Sequence, residues 1–313
     1  MKKLLTTTAV AVASLGIAAP AAAEGENFVL ISHAPDGDSW WNVIQNAIRV
    51  AGDEMGANVD YRNPTTGDLA DMARIIEQAA AGNTDGIIVT IADFDVLEGP
   101  IRNAVDRGIP VVTINSGTIE QSQELGALLH VGQPEYDAGY GAGQRAVEEA
   151  GVESFLCVNH YITNPASVER CQGFADAIGV ELGSQMIDAG IDPSEVQNNV
   201  QAYLSSNPDT DAILALGPNS AHPTLRALET IGLDGELYFG TFDVSDEIVQ
   251  GLRDGVVNFA IDQQPFLQGH MPVTILANYV RYGIAPSNSI NSGPGFVTAE
   301  NVDLVQDLAG EYR

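Results

Sequence analysis

The sequence predicts an α/β protein of two similar lobes, each built on a parallel sheet. Three observations carry that prediction. Short runs of β-branched residues alternate with amphipathic helical stretches along the chain. The runs are apolar throughout, as strands covered by helices on both faces must be. The alternation also restarts partway along, so that two βαβ series follow one another.

The first series runs "NFVLIS" as a strand, "WWNVIQNAIRVAGDEMG" as a helix, "ANVDYR" as a strand and "DLADMARIIEQAAAG" as a helix. It continues with "GIIVTI", "DVLEGPIRNAVDRG" and "IPVVTIN" as strand, helix and strand. The second series opens at "ALLHVG", which leads into the helix "EYDAGYGAGQRAVEEAG". "SFLCVN", a helix from Pro165 to Gly179, "SQMID" and "PSEVQNNVQAYLSS" follow, then "DAILAL", "HPTLRALETIG", "ELYFGT", "SDEIVQGLRDG" and "VNFAID". A last helix, "PFLQGHMPVTILANYVRYG", precedes the tail. No low-complexity linker separates the halves, which argues against lobes on a loose tether. "GYGAG", Gly139 to Gly143, lacks the third spaced glycine of a dinucleotide loop and reads as a seam for close helix packing.

The chain opens with "MKKLLTTTAVAVASLGIAAPAAA": two lysines, a short apolar run and an A-x-A site. This is the pattern of a secretory signal peptide, residues 1–23, cut after Ala23. It places the mature protein in the periplasm. Lys2 and Lys3 are the only lysines, and 13 basic residues face 42 acidic ones for a net charge of −29. Such a surface repels nucleic acid and anionic lipid, and it suits a saline habitat. Cys157 and Cys171 stand 14 positions apart. In an oxidising compartment a disulfide between them is the favoured reading, worth about 3 kcal/mol. Two free buried thiols and a catalytic thiol are the alternatives, in falling order.

Open parallel sheets bind ligands beyond the carboxyl ends of their strands. The loops there are "SHAPDGDSWW", "ADFD" and "NSG" in the first series. In the second they are "NHYITNPASVER", "AGID", "GPNSAH", "FDVSD" and "DQQP". They are rich in Asn, Asp, Gln, His, Ser and Trp and poor in cationic phosphate binders, a set suited to a neutral, hydroxyl-rich ligand. Carbohydrate hydroxyls both donate and accept, so a site for them needs planar side chains that can hold neighbouring hydroxyls. An aromatic face adds a wall for the sugar's C–H surface. Asn115, Asp243, Gln263 and Arg170 with Trp40 and Trp41 make such a kit. Asp93 and Ser116 lie in the same strand-end loops. His33 and His160 each follow the first full strand after a lobe's start, an echo that places them facing each other, as hydrogen-bond partners in the cleft in preference to ligands of a shared metal.

Plainer roles compete for some of these residues. Asp38 has the position of an N-cap for the first helix, alone or while also touching ligand. Trp41 is open to a core role, with Trp40 the better cleft candidate. Ser245 is a more natural cap than Asp243 for the helix that follows. No G-x-S-x-G, H-E-x-x-H or P-loop occurs, so the expectation is no catalytic residue, no metal and no cofactor.

At these residues the chain resembles the periplasmic sugar-binding proteins of ABC importers, the group of the ribose- and galactose-binding proteins. "DSWW" stands where the ribose-binding pattern opens its first helix with Asn-Pro-Phe-Phe. "IPVVTIN" resembles I-P-V-hydrophobic-T-hydrophobic-D, with Asn115 at the carboxylate position and Ser116 where the pattern has Arg. "VERCQGF" resembles R-x-x-G-F and makes Arg170 the ligand arginine. "FGTFD" and "AIDQQP" supply Asp243 and Gln263. In "ALGPNSA" the aligned position is Gly217, and Asn219 is the substitute contact; Ile191 falls where ribose binders offer an aromatic wall.

The resemblance implies a type I periplasmic binding protein fold, two Rossmann-like lobes joined by three hinge crossovers. The N-terminal lobe would be 24–131 plus 264–291 and the C-terminal lobe 132–263 plus 292–313. It implies a monomeric solute-binding protein, without cofactor, that captures a pentose, hexose or related polyol between the lobes and delivers it to a membrane permease. The alternative is the same fold acting as a ligand sensor for a chemoreceptor, or in uptake of a furanose-type signal.

Overall fold

Both faces of each sheet are buried, which is why the strands read as unbroken apolar runs. In the strand Asn27–Ile31, Phe28 and Leu30 pack into one hydrophobic cluster, while Val29 and Ile31 pack into another on the opposite face. The computed structural model describes residues 25–313, so the predicted leader lies outside the described residues.

The first half runs β1 (Asn27–Ile31), α1 (Trp41–Met55), β2 (Asn58–Arg62), α2 (Leu69–Ala81), β3 (Gly86–Val89), α3 (Phe94–Asp106), β4 (Val111–Ile114), α4 (Ile119–Glu124) and β5 (Leu129–Gly132). The second runs α5 (Glu135–Ala150), β6 (Phe155–Asn159), α6 (Pro165–Ile178), β7 (Met186–Asp188), α7 (Pro193–Ser206), β8 (Ala212–Ala215) and α8 (Pro218–Ile231). It ends with β9 (Tyr238–Phe242), α9 (Asp246–Asp254) and β10 (Phe259–Asp262). Then come α10 (Pro265–Tyr282), β11 (Ile290–Asn291), β12 (Gly295–Val297) and short 3-10 turns.

The strands form two six-stranded sheets, ordered β11-β5-β4-β3-β1-β2 and β12-β10-β9-β8-β6-β7. The β10–β12 pair is antiparallel; the other pairs are parallel. This is the doubly wound, two-lobed architecture that the alternation predicts.

The chain passes between the sheets three times. The passages lie between β5 and α5, between β10 and α10, and between β11 and β12. Two expectations are corrected here, and one further element is found. β5, "ALLHVG", pairs with β4 and belongs to the first sheet instead of opening the second series. The helix read from His222 starts at Pro218, because proline is well placed in a first helical turn and the preceding Gly217 supplies the sharp entry at φ 151°. The six-residue α4 was not anticipated, although Thr118 and Gln121 close a reciprocal capping box around its first turn.

Two features fix α6, which carries Arg170. Cys157 on β6 and Cys171 on α6 form a disulfide, as favoured from the sequence. The "GYGAG" seam packs α5 onto α6. A Cβ on Gly139 would fall 2.0 Å from the Arg170 carbonyl oxygen, and one on Gly173 would fall 2.2 Å from that of Tyr136. Any side chain at either position would push the helices apart.

Candidate functional site

The carboxyl ends of both sheets face a cavity between the lobes. Eleven of the twelve sequence-predicted residues line it: His33, Asp38, Trp40, Trp41, Asn115, Ser116, His160, Arg170, Asn219, Asp243 and Gln263. Asp93 does not. Its side chain accepts from the Val96 backbone N–H and caps α3, which is the ordinary use of an Asp before a helix. Ile191 is exposed and is not part of the lining either. Sequence reasoning missed Tyr161, Asn164 and Ser167, although all three lie in the quoted loop "NHYITNPASVER". The Asn-Pro pair there signals a helix start, and Asn164 does cap α6. Its Nδ2 also donates across the lobes to Ser116 Oγ at 3.0 Å.

Backbone shape aims the polar groups. Among the described residues three non-glycine positions have positive φ: Asn115 at 58°, Asp243 at 64° and Gln264 at 53°. All follow strand ends, and Asn115 and Asp243 line the cavity. Asn and Asp tolerate this region better than most residues, yet it still costs free energy, and such outliers concentrate at functional sites. Asn115 Nδ2 donates to Gln268 Oε1 at 3.1 Å and Gln263 Oε1 at 3.4 Å, while Gln263 Nε2 donates to Asp243 Oδ1 at 2.7 Å. Gln268 Nε2 reaches Ser292 Oγ at 3.0 Å, so the second and third passages between the sheets join one polar chain.

Arg170 is held on several sides. Its Nε and one terminal nitrogen donate to both oxygens of Glu135 at 2.7 and 2.8 Å. The same terminal nitrogen reaches Gln263 Oε1 at 3.3 Å, and the other donates to the Leu216 carbonyl at 3.1 Å. The guanidinium carbon lies 4.2 Å from the Phe242 ring centroid. Burial opposes its charge, but Glu135 outweighs that and raises the Arg170 pKa. Glu135 itself was not foreseen.

The two tryptophans divide their work. Trp41 is 3 % exposed and belongs to the first lobe's core, with ring centroids 5.5 Å from His33 and 5.1 Å from Trp40, both near-perpendicular. Trp40 is half-buried at the cavity. Its indole N–H nears Asp243 and lowers that carboxyl's pKa, yet falls short of hydrogen-bond geometry and has no partner among the described residues. His160 Nδ1 is likewise buried without one. A buried donor or acceptor left unmade costs about 1–3 kcal/mol, so both are atoms that a polar guest would satisfy. Asp38 does not cap α1: the helix starts at Trp41, and Asp38 Oδ1 accepts from the backbone N–H of Trp40, the residue just before it, at 3.2 Å.

Burial sets the charge states. It raises Asp38 above the usual carboxylate range, against hydrogen bonds from the Trp40 backbone and Asn219. It pushes Asp243 up to about 7, against the pull of Arg170, Gln263 and Trp40. It lowers His33 to about 4 and His160 to about 3, with Arg170 and His33 adding to the effect on His160. Both histidines lie in the lining as neutral rings, with Tyr161 packed 5.8 and 4.8 Å from their centroids.

A pH dependence of stability follows. Histidines with depressed pKa values, His130 at about 4 included, cost stability as pH falls below about 6.5. Asp243 works in the opposite sense, because its folded pKa lies above its unfolded one, so stability drops as pH rises from about 4 through 7. Each proton contributes a slope of up to about 1.4 kcal/mol per pH unit. Between about pH 4 and 6.5 the three histidines outweigh Asp243, so denaturant unfolding should show stability rising to a plateau near pH 7, and Asp243→Asn should steepen that rise. An unchanged rise in that variant would remove Asp243 as the opposing group.

Comparison with known proteins agrees with this geometry. The periplasmic binding protein domain model matches residues 28–284. A xylose/arabinose-binding protein of Sulfolobus acidocaldarius is 26 % identical over 275 residues, covering 83 % of this chain and 67 % of its own. The ribose import binding protein of Escherichia coli is 23 % identical over 270 residues, covering 85 % and 88 %. A carbohydrate transporter from Acidothermus cellulolyticus, solved with myo-inositol, superposes with a TM-score of 0.84 at 31 % identity, covering 91 % of this chain and 98 % of that one. The first two of these relatives are named as binding proteins. The chain belongs to the periplasmic binding protein domain family and has its two-lobed sugar-binding fold.

Proposed function

We propose that this protein captures one monosaccharide or cyclic polyol between its lobes outside the cytoplasm and delivers it to an ABC permease. The observation that carries the reading is the interlobe cavity, where Asn115 and Asp243 are held at positive φ beside Trp40 and a polar ring from both lobes. Its volume, about 60 Å³ to the centre of a water-sized sphere, admits roughly four to six waters' worth of guest. That matches one small sugar ring and leaves no room for an oligosaccharide.

Trp40 supplies the stacking face, while Asp38 and Asp243 accept from hydroxyls and Asn115, Arg170 and Gln263 orient them. The lobes, 24–131 with 264–291 and 132–263 with 292–313, turn about the three passages between the sheets. Because each lobe holds half the contacts, the ligand binds the closed form better than the open one and shifts the population toward it. Residues 1–23 direct export to the periplasm, and the mature chain acts as a monomer without catalysis.

Relatives carry names or ligands spanning xylose, arabinose, ribose and myo-inositol, and those compounds head the test panel. In a thermal-unfolding screen, a ligand at 100 times its Kd should add about 2.7 kcal/mol of stability. No response to any neutral sugar or polyol would overturn the reading.

A further inference from the structure

Arg170 has five N–H donors. Four are spent inside the protein: one from Nε and one from a terminal nitrogen on Glu135, a second from that nitrogen on Gln263, and one on the Leu216 carbonyl. Glu135 takes the two-pronged face, the geometry with which a guanidinium otherwise grips a carboxylate. It is 3 % exposed, is absent from the cavity lining, and sits in the first turn of α5, directly after the first passage between the sheets. Gln133, on that passage, donates to Glu135 Oε2 at 2.8 Å and holds it from behind.

We infer that Glu135 is the positioning residue of the site: it occupies the fork of Arg170 and leaves one N–H for the ligand, so that the cavity takes neutral hydroxyls and turns away carboxylates. Specificity against sugar acids is therefore built behind the cavity wall. This rests on the reading of the cavity as a polyol site, but its main test needs no ligand. With Glu135 neutralised, the guanidinium is free to swing toward Asp243, whose other charged or titratable neighbours are Asp262 at the end of β10, with Asp38 and His160 in the same lining.

The protein carries its own reporter, since both of its tryptophans line the cavity and Trp40 Nε1 nears Asp243. Tryptophan fluorescence of the ligand-free protein should titrate with a midpoint near pH 7, and Asp243→Asn should abolish that step. In Glu135→Gln the midpoint should fall by about one pH unit or more, a tenfold change in the proton affinity of Asp243. Glu135→Asp, which keeps the charge but shortens the reach, should fall between the two. Circular dichroism reports whether each variant folds; an unchanged midpoint in a folded variant of either kind overturns the positioning role. In parallel, D-glucuronate and D-galacturonate should leave the melting temperature of the wild type unmoved, and stabilisation by either overturns the exclusion of carboxylates. If no neutral polyol binds, the functional reading falls while the titration still decides what Glu135 does.

Discussion

Arg170→Met should destabilise the protein by about 3–5 kcal/mol and abolish ligand binding. Removing one member of a buried ion pair strands the other, and Glu135 has no alternative cation within reach in its hydrogen bonds. The methionine fills much of the volume beside Phe242, so most of the loss comes from the stranded carboxylate and not from a hole. Denaturant unfolding of the single variant and of Arg170→Met with Glu135→Gln checks this. The double variant should recover a large part of the stability while still failing to bind. Equal instability of the two would mean that packing, not charge, dominates.

The second large effect separates the tryptophans. Trp41→Ala should cost about 3–5 kcal/mol, because it empties a fully packed position between β1 and α1 and removes the edge contacts to His33 and Trp40. Trp40→Ala should leave stability within about 1 kcal/mol, since its ring is half-exposed and its indole nitrogen is already unpaired. Its cost falls on affinity. The check is unfolding and ligand titration on both variants; the reverse ordering of stabilities would exchange their roles.

The fold was legible because its strands are long enough, and apolar enough, to show through. Four- and five-residue runs such as "GIIV" and "NFVLI" sit in sheets buried on both sides, and helices with clear starts and stops separate them. β11 and β12, two and three residues long, are too short to show any period. α4 is mostly polar, and its tertiary setting rather than its pattern makes it helical. β5 was assigned to the wrong series because strand order is a property of pairing, which no local window contains.

In the site, strand-end reasoning located residues whose backbone position alone brings them to the cavity, such as His33, Asn115 and Asp243. It misplaced Asp93, where the same strand-end position serves only a helix cap. It missed Glu135 for a different reason. The pair to Arg170 spans 35 residues and becomes visible only when α5 and α6 close on their glycine seam. The usable signal was indirect: an arginine predicted inside a cleft demands a counter-charge, and "QPEYD" offers one at a helix start.

The two walls of the cavity differ in how firmly they are built. On the second lobe, α6 is clamped by a disulfide, an ion pair and a close glycine seam that leaves a side chain no space. On the first, Asp38 and Trp40 stand on a turn before a helix that has no side-chain cap. Substitutions in residues 36–40 therefore disturb little else, whereas changes around Arg170 disturb the whole lobe. A lineage drifting from one sugar to another would change that turn first, keeping the second lobe as a fixed template against which new ligands are tried.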